Sequence, residues 1–454
     1  MERNRMSKRT AASRALAAAI AAMMLLAAVA GCGSKPGGAS NAADGSTPAA
    51  QTENKAADAG ADAGAADAGG ADQGAVADQG ATSGINVSLK VWGPQEEQVL
   101  LKQMCEAFAA EHPEDTYTFE YGVVGESDGR SIYSEDPAAA ADVFMIVNDH
   151  LRELAEAQSL YEVTRNKNDI MGRNLLSSVE AATYNGALYA YPMTADNGYF
   201  LYYDKSVVSE KDAGSLETLL AAADAAGKGV LMDIANGWYI ASFFLGAGCS
   251  LGIDAEGRQT CDFNNADGLV AAEGIKMFTS HPAFRPGDDN VLKGGMGSSI
   301  CAGVTGTWNA AAIQEALGEN YAATKLPTFT VGDRVVQMGS FGGFKLVGVN
   351  SLTNFPEQAM DLADWLTNEE NQKTRFEVRE YGPSNKNVAE SDAVKANIAL
   401  SALALQNQFA VPQNDVLGNY WTPAGAFGAA MEQQDTSKPL QDMLNTMVAQ
   451  IVAQ

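Results

Sequence analysis

Three of the five tryptophans stand where an apolar run gives way to a helix start or a loop. Trp238 follows Asn236-Gly237 after the run Val230–Ile234, and Tyr239 is its neighbour. Trp308 follows Thr305-Gly306-Thr307 after Ile300–Val304, and Trp421 follows Tyr420 in a stretch that opens at Pro412. Two carboxylates occupy comparable places. Asp149 lies in Asn148-Asp149-His150, at the end of the apolar run Asp142–Val147. Asp196 sits beside Asn197, between Tyr191-Pro192 and the aromatic run Tyr199–Tyr203. The chemistry such a set suits is binding. Aromatic faces supply a large contact area at small entropic cost, and a few placed polar groups set orientation. Trp92 and Trp365 fall inside a strand pattern and a helix pattern, and are read as packing.

Bond-breaking chemistry has a weaker footing. Gly125-Glu126-Ser127-Asp128-Gly129 fits G-x-S-x-G, but that elbow must be followed by a helix, and Arg130–Pro137 does not read as one. His112, His150 and His281 are the only histidines available as bases. Asp149 and Asp196 in one cleft would be the carboxylate pair of a glycan hydrolase, which is the alternative from a second class. No phosphate loop or dinucleotide fingerprint occurs, no cysteine spacing suggests zinc, and no cofactor is expected. The net charge of −26 argues against nucleic acid, whose phosphates call for Lys and Arg.

The elements that must position these residues read as an α/β chain. Val87–Trp92 alternates and leads to a helix with Val99, Leu100, Met104 and Phe108 on one face. Tyr117–Tyr121 is a second strand. The unbroken apolar run ending at Val147 is a strand buried on both faces, with polar residues at its C-terminal end, where open α/β sheets bind ligands. Asn185-Gly186 is a turn, and Pro192 holds Tyr191 extended. Beyond Ser215 the pattern strand end, polar or aromatic residue, helix start repeats around Asn236 and Thr307. Ser340–Val349 is a returning strand. Pro356–Leu366 and Asn371–Glu380 are helices, and Tyr381-Gly382-Pro383-Ser384 is a break.

The first 84 residues are of another kind. Arg3, Arg5, Lys8 and Arg9 precede an apolar stretch from Ala15 to Ala30, the make-up of an export signal. Val29-Ala30-Gly31-Cys32 looks like a bacterial lipobox, which predicts cleavage after Gly31, lipid attachment at Cys32 and anchorage to the outer face of the cell membrane. Residues 32–84 are rich in Ala, Asp and Gly, cannot bury enough apolar surface to offset ordering entropy, and are read as a disordered tether. Of the remaining cysteines, Cys249 and Cys261 flank a likely hairpin and could form a disulfide, which an extracellular location permits.

Tyr184-Asn185-Gly186-Ala187-Leu188-Tyr189-Ala190-Tyr191-Pro192, followed by Tyr203-Asp204-Lys205, resembles the hinge crossover of maltose-binding-protein-like substrate-binding proteins of ABC transporters (extracellular solute-binding protein family 1). The resemblance runs from about Ile85 to the C-terminus. It implies an α/β, two-lobed periplasmic-binding-protein fold of type II, with a cleft between lobes and a three-strand hinge near Thr194, Phe341 and Gly382. The implied lobes are 85–194 with 342–384 and 195–341 with 385–454. Trp308 and Trp421 then take the places of sugar-stacking aromatics, with Trp238, Asn236 and Tyr239 at a third stacking segment. Asp149 takes the place of a hydroxyl-binding aspartate and Asp196 that of the hinge glutamate. The family's Asp-Lys pair after the first strand is not kept; Glu96 and Glu97 stand nearby, and Glu97 is counted with the ligand-binding set. Ile146 and His150 replace a tryptophan and an arginine, so the scaffold is matched more closely than maltose specificity. The implied partners are a carbohydrate, a malto-oligosaccharide or another oligosaccharide, and the permease of an importer that a monomeric lipoprotein serves. A peptide or polyol is the alternative ligand, and surface adhesion the alternative role.

Overall fold

The computed structural model describes residues 84–453 except Thr436. The expected leader, the expected lipid-attachment residue Cys32 and the expected tether up to Ser83 lie outside the described residues. Among the described residues no helix is long and apolar enough to cross a membrane.

The first sheet begins with β1 (Asn86–Gly93), α1 (Gln98–Glu111), β2 (Thr116–Val123), α2 (Gly129–Glu135), β3 (Val143–Val147) and α3 (His150–Glu156). β1 pairs in parallel with β2 and with β3. Every residue of β3 is buried, as an unbroken apolar run between two covering layers requires. Asn185 (φ 48°) and Gly186 (φ 80°) make the left-handed turn that closes a tight hairpin between Thr183–Tyr184 and Ala187–Leu188. β4 (Ala190–Gly198) belongs to the first sheet and β5 (Phe200–Asp204) to the second, so the chain changes sheets at Tyr199.

The second sheet is built from α4 (Leu216–Ala225), β6 (Gly229–Leu231), α5 (Gly237–Ala247), the hairpin β7 (Leu251–Ile253) and β8 (Gln259–Cys261), α6 (Ala266–Thr279), α7 (Asp289–Gly295), β9 (Ile300–Thr305), α8 (Ala310–Leu317) and β10 (Tyr321–Thr324). Its strand order is Phe284–Arg285, β6, β9, β5, β10. β6 and β9 run parallel, and β5 runs antiparallel to both β9 and β10. β11 (Ser340–Val349) then returns to the first sheet. It lies antiparallel to β3 on one side and β4 on the other, with Lys345 opposite Val147 and Thr194.

The chain from Pro356 onward serves both sheets. α9 (Pro356–Leu366) packs on β11 and α1, and α10 (Glu369–Arg379) follows it. α11 (Ile398–Gln406) covers β10, α12 (Trp421–Glu432) packs on α5, and α13 (Leu440–Ile451) on α6 and α12. Between α11 and α12, β12 (Ala410–Pro412) pairs with Ser340–Gly342 of β11. The segment from 385, expected to belong wholly to the second lobe, therefore sends a strand back to the first sheet.

Two further expectations are corrected. Cys249 and Cys261 are free thiols. The β7–β8 register sets Cys261 opposite Leu251, two residues past Cys249, whose sulfur instead lies 3.7 Å from Asn265 Oδ1. Burial pushes both thiols up to about 12. The stretch after the G-x-S-x-G pattern is helical, as α2; proline restricts only the residue before it, so Pro137 lets the helix run to Glu135. Trp92 and Trp365 do pack. Trp92 is buried against Phe144, and the Trp365 indole N–H donates to Met104 O at 2.9 Å.

Glu97 and Arg375 form a fully buried ion pair, at 0 % and 1 % exposure, with Nε donating to Oε2 at 3.1 Å. Removing one member strands the other charge. The variant Arg375→Met is expected to lower unfolding free energy by about 3–5 kcal/mol, read as a fall in the urea midpoint, while Glu97→Leu/Arg375→Met recovers most of it.

Candidate ligand-binding cleft

The ends of β2, β3, β6 and β9, with the loop after β12, surround a cleft of about 720 Å³, within the range typical of small-molecule sites. Trp238, Tyr239, Trp308 and Trp421 line it, together with seven carboxylates: Glu96, Glu126, Asp128, Asp149, Asp233, Asp288 and Asp289.

The aromatic wall comes from three helix starts. Asn236 caps α5, its side chain accepting from Trp238 N at 2.9 Å, the ordinary work of asparagine at that position. α12 starts alongside, and a Cβ on Gly237 would lie 2.9 Å from Trp421 O, so glycine lets the two helix starts meet. The Trp238 and Trp308 rings have centroids 5.8 Å apart, tilted by 39°. The Trp308 ring folds over Gly306, where a Cβ would come within 2.0 Å of it. Its indole N–H donates to Asp289 Oδ2 at 2.6 Å, and Asp289 Oδ1 accepts from Thr305 Oγ1 at 2.9 Å. With the N–H occupied, the half-buried Trp308 offers the cleft its ring surface. Trp421 leans edge-on against Phe341, with centroids 5.9 Å apart.

The opposite wall begins at the end of β3. Gln413 joins the two: the Trp238 indole N–H donates to Gln413 Oε1 at 2.8 Å, and Gln413 Nε2 donates to Asp149 Oδ1 at 2.7 Å. Asp149 is buried, and loss of hydration pushes its carboxyl up to about 7. His150 Nε2 lies 3.9 Å from Asp149 Oδ2, but burial, helped by the nearby Arg130 charge, lowers the imidazole to about 3. At neutral pH His150 is uncharged and the contact is not an ion pair.

Six of the eight residues expected to bind ligand line this cleft: Trp238, Trp308, Trp421, Asp149, Asn236 and Tyr239. Glu97 does not, because its carboxylate turns inward to Arg375, and its neighbour Glu96 faces the cleft instead. Asp196 is also absent from the lining. Its Oδ2 accepts from Thr307 Oγ1 at 2.6 Å and from Gly382 N at 2.7 Å, so it ties crossing segments together beneath the site. The sequence reading missed Glu126, Asp288, Asp289, Lys345 and Gln413. Lys345 carried a signal, as the one charged residue of an otherwise apolar or small ten-residue strand. Glu126 was hidden inside a pattern weighed only as a hydrolase motif and set aside. Ser127 of that pattern is exposed and has an ordinary negative φ, without the strain of a nucleophile elbow. Among the described residues no group of His, Cys, Asp or Glu is arranged to hold a metal ion.

Residues 103–402 match the family of bacterial extracellular solute-binding proteins, and the chain belongs to it. A curated relative is the galactooligosaccharide-binding protein of Bacillus subtilis (strain 168), 26% identical over 385 residues, which cover 80% of this chain and 90% of that one. Among solved structures, one with acarbose is 30% identical, with a TM-score of 0.73 over 81% of this chain and 99% of the other. The maltodextrin binding protein MalE1 from L. casei BL23 without ligand is 25% identical, with a TM-score of 0.68 over 81% and 100%. The fold is the two-lobed, type II periplasmic-binding fold of these proteins.

Asp149 and His150 make opposite contributions to stability against pH. The folded protein keeps the Asp149 proton to about pH 7, whereas an unfolded chain releases it near 3.8, so this contribution falls as pH rises through that window. An unfolded chain protonates His150 near 6.5 while the folded protein resists to about 3, so this contribution falls as pH drops. In the parent the two oppose one another over the shared range. Melting temperatures across that range are expected to rise with pH more steeply in Asp149→Asn than in the parent, and to fall with pH relative to the parent in His150→Gln.

Proposed function

We propose that the protein captures an oligosaccharide outside the cell and delivers it to the permease of an ABC importer. The observation that carries this reading is the pair of tryptophans 5.8 Å apart, with indole N–H groups held by Asp289 and Gln413 and ring surfaces in a cleft rich in carboxylates. Ring faces suit the C–H surfaces of a sugar, and carboxylates accept from its hydroxyls. Relatives that bind galacto-oligosaccharides or maltodextrins support the same ligand class.

In this reading the first sheet anchors one lobe, residues 85–194 with 342–384, and the second sheet the other, residues 195–341 with 385–454 apart from β12. The lobes close about the crossings at Tyr199, before Ser340 and after Gly382. Ligand favours closure to the extent that it binds the closed form better. Trp308 and Trp421 stack on sugar rings, with Trp238 and Tyr239 beside them, and Asp149 reads a hydroxyl. The protein is a monomer that releases its sugar intact, so it is not an enzyme. A glycan hydrolase through Asp149 and Asp196 is disfavoured because Asp196 is spent inside the hinge. Cys32 carries the lipid that holds the protein at the outer face of the membrane.

A thermal-melt screen of the full chain against malto- and galacto-oligosaccharides, amino acids and peptides tests the ligand class. At a hundredfold its dissociation constant, a ligand adds about 2.7 kcal/mol, a shift of a few degrees, and the sugar should be recovered uncleaved. A shift with peptides alone overturns the reading. Trp308→Ala is expected to weaken sugar binding about tenfold or more, or about 1.4 kcal/mol, measured by calorimetry.

A further inference from the structure

Lys345 and Glu126 belong to neither the aromatic wall nor the Asp196 clasp. Lys345 is 5 % exposed and Glu126 7 %, yet both line the cleft. They come from separate elements, β11 and the turn between β2 and α2. Lys345 Nζ stands 3.2 Å from Glu126 Oε1, but that oxygen accepts no hydrogen bond, so the two groups meet as charges without a formed hydrogen bond. The ammonium lies over two aromatic faces instead, 5.4 Å from the centre of Trp308 and 4.8 Å from that of Tyr381. Such faces attract a cation without taking up its N–H groups as a lone pair does. Burial works against the lysine charge, but Glu126, with Tyr381, Asp196 and Glu97 behind it, outweighs burial and holds its pKa above the ordinary value.

Buried ion pairs normally have their remaining lone pairs and protons satisfied by hydrogen bonds. Here a charged acceptor is unmet, and the donor beside it lies over the faces of Trp308 and Tyr381. The geometry points to Lys345 and Glu126 as a ligand-reading pair. The ammonium donates to one oxygen of a sugar ring docked beside Trp308, and Glu126 accepts from the hydroxyl on the adjacent carbon. Neighbouring ring oxygens lie about a hydrogen bond apart, which fits the 3.2 Å between the two groups. The pair would therefore select rings with two free adjacent hydroxyls at that position. This inference rests on the oligosaccharide reading and names which atoms of the ligand are read.

The test is calorimetric titration of the full chain with maltotriose and with a galactotriose, using the parent, Glu126→Gln and Glu126→Leu/Lys345→Met. Glu126→Gln keeps the side chain's size. The double variant replaces a buried pair by apolar groups, which leaves stability nearly unchanged or raised, and its melting temperature monitors folding. Expected are parent binding of at least one sugar, and a loss of about tenfold or more in both variants at unchanged melting temperature. Parent-like affinity in the folded double variant would make the pair mere packing and overturn the inference. Should the double variant fail to fold, parent-like affinity in Glu126→Gln overturns it equally. Binding of neither sugar by the parent brings down the oligosaccharide reading, and the inference with it, before any variant is needed.

Discussion

One carboxylate oxygen, Asp196 Oδ2, holds the crossing segments together. It accepts from Thr307, at the end of a second-sheet strand, and from the amide of Gly382, where the chain leaves α10, while Asp196 itself lies on β4. Both bonds fall on this one oxygen of the buried carboxylate, while Oδ1 has no protein partner, so three segments meet at a single acceptor and those two bonds offset part of its burial. Gly382 admits the contact, because a Cβ there would lie 2.8 Å from Asp196 Cβ. β11 depends on the same arrangement. It pairs with β4, β3 and β12, and carries Lys345 between Val147 and Thr194 into the cleft.

From that clasp the site follows. Thr307 is the residue before Trp308, so whatever fixes Thr307 fixes the start of the aromatic wall. Trp308 is then pinned by Asp289, and Trp238 is pinned by Gln413, which reaches on to Asp149. Each indole N–H is occupied by the protein. The platforms are therefore set before a ligand arrives, and the entropy of ordering them is not lost on binding. The residues after Gln413 are bonded as well: Asn148 Nδ2 donates to Asn414 Oδ1 at 2.6 Å and Gln259 Nε2 to Asp415 O at 3.4 Å. Residues 413–415 thus form a strap bonded to both walls.

Seven carboxylates facing one space would repel one another were all of them free. Several are engaged: Asp289 by Trp308 and Thr305, Asp149 by Gln413, Glu126 by the Lys345 charge, and Asp288 by the backbone amides of Asn290 and Val291. Asp149 is held protonated by burial up to about pH 7, which lowers the net charge further. What remains is a set of acceptors arranged around aromatic faces.

The sequence by itself determined much of this protein, because the signals concerned are local. The apolar run of β3 is too short for a helix and reads as a strand covered on both sides, whereas the longer apolar run Gly237–Ala247 is helix α5. Asn185-Gly186 can only turn, and Pro356 starts a helix at its first position. Trp238 and Trp308 were legible because each follows an apolar run at a helix start, and Trp421 from its place after Tyr420 in the stretch that opens at Pro412. Tertiary structure decided the direction in which a side chain points from such a place. Glu96 and Glu97 are adjacent in one short turn, yet one faces the cleft and the other meets Arg375, 278 residues away along the chain. Asp196 and Asp149 look alike in sequence, but only Asp149 reaches the cleft, because Thr307 and Gly382 arrive from distant segments to occupy the other. Cys249 and Cys261 flank a real hairpin, but its register offsets them. These outcomes depend on pairings between residues far apart in the chain, which local pattern and propensity do not encode.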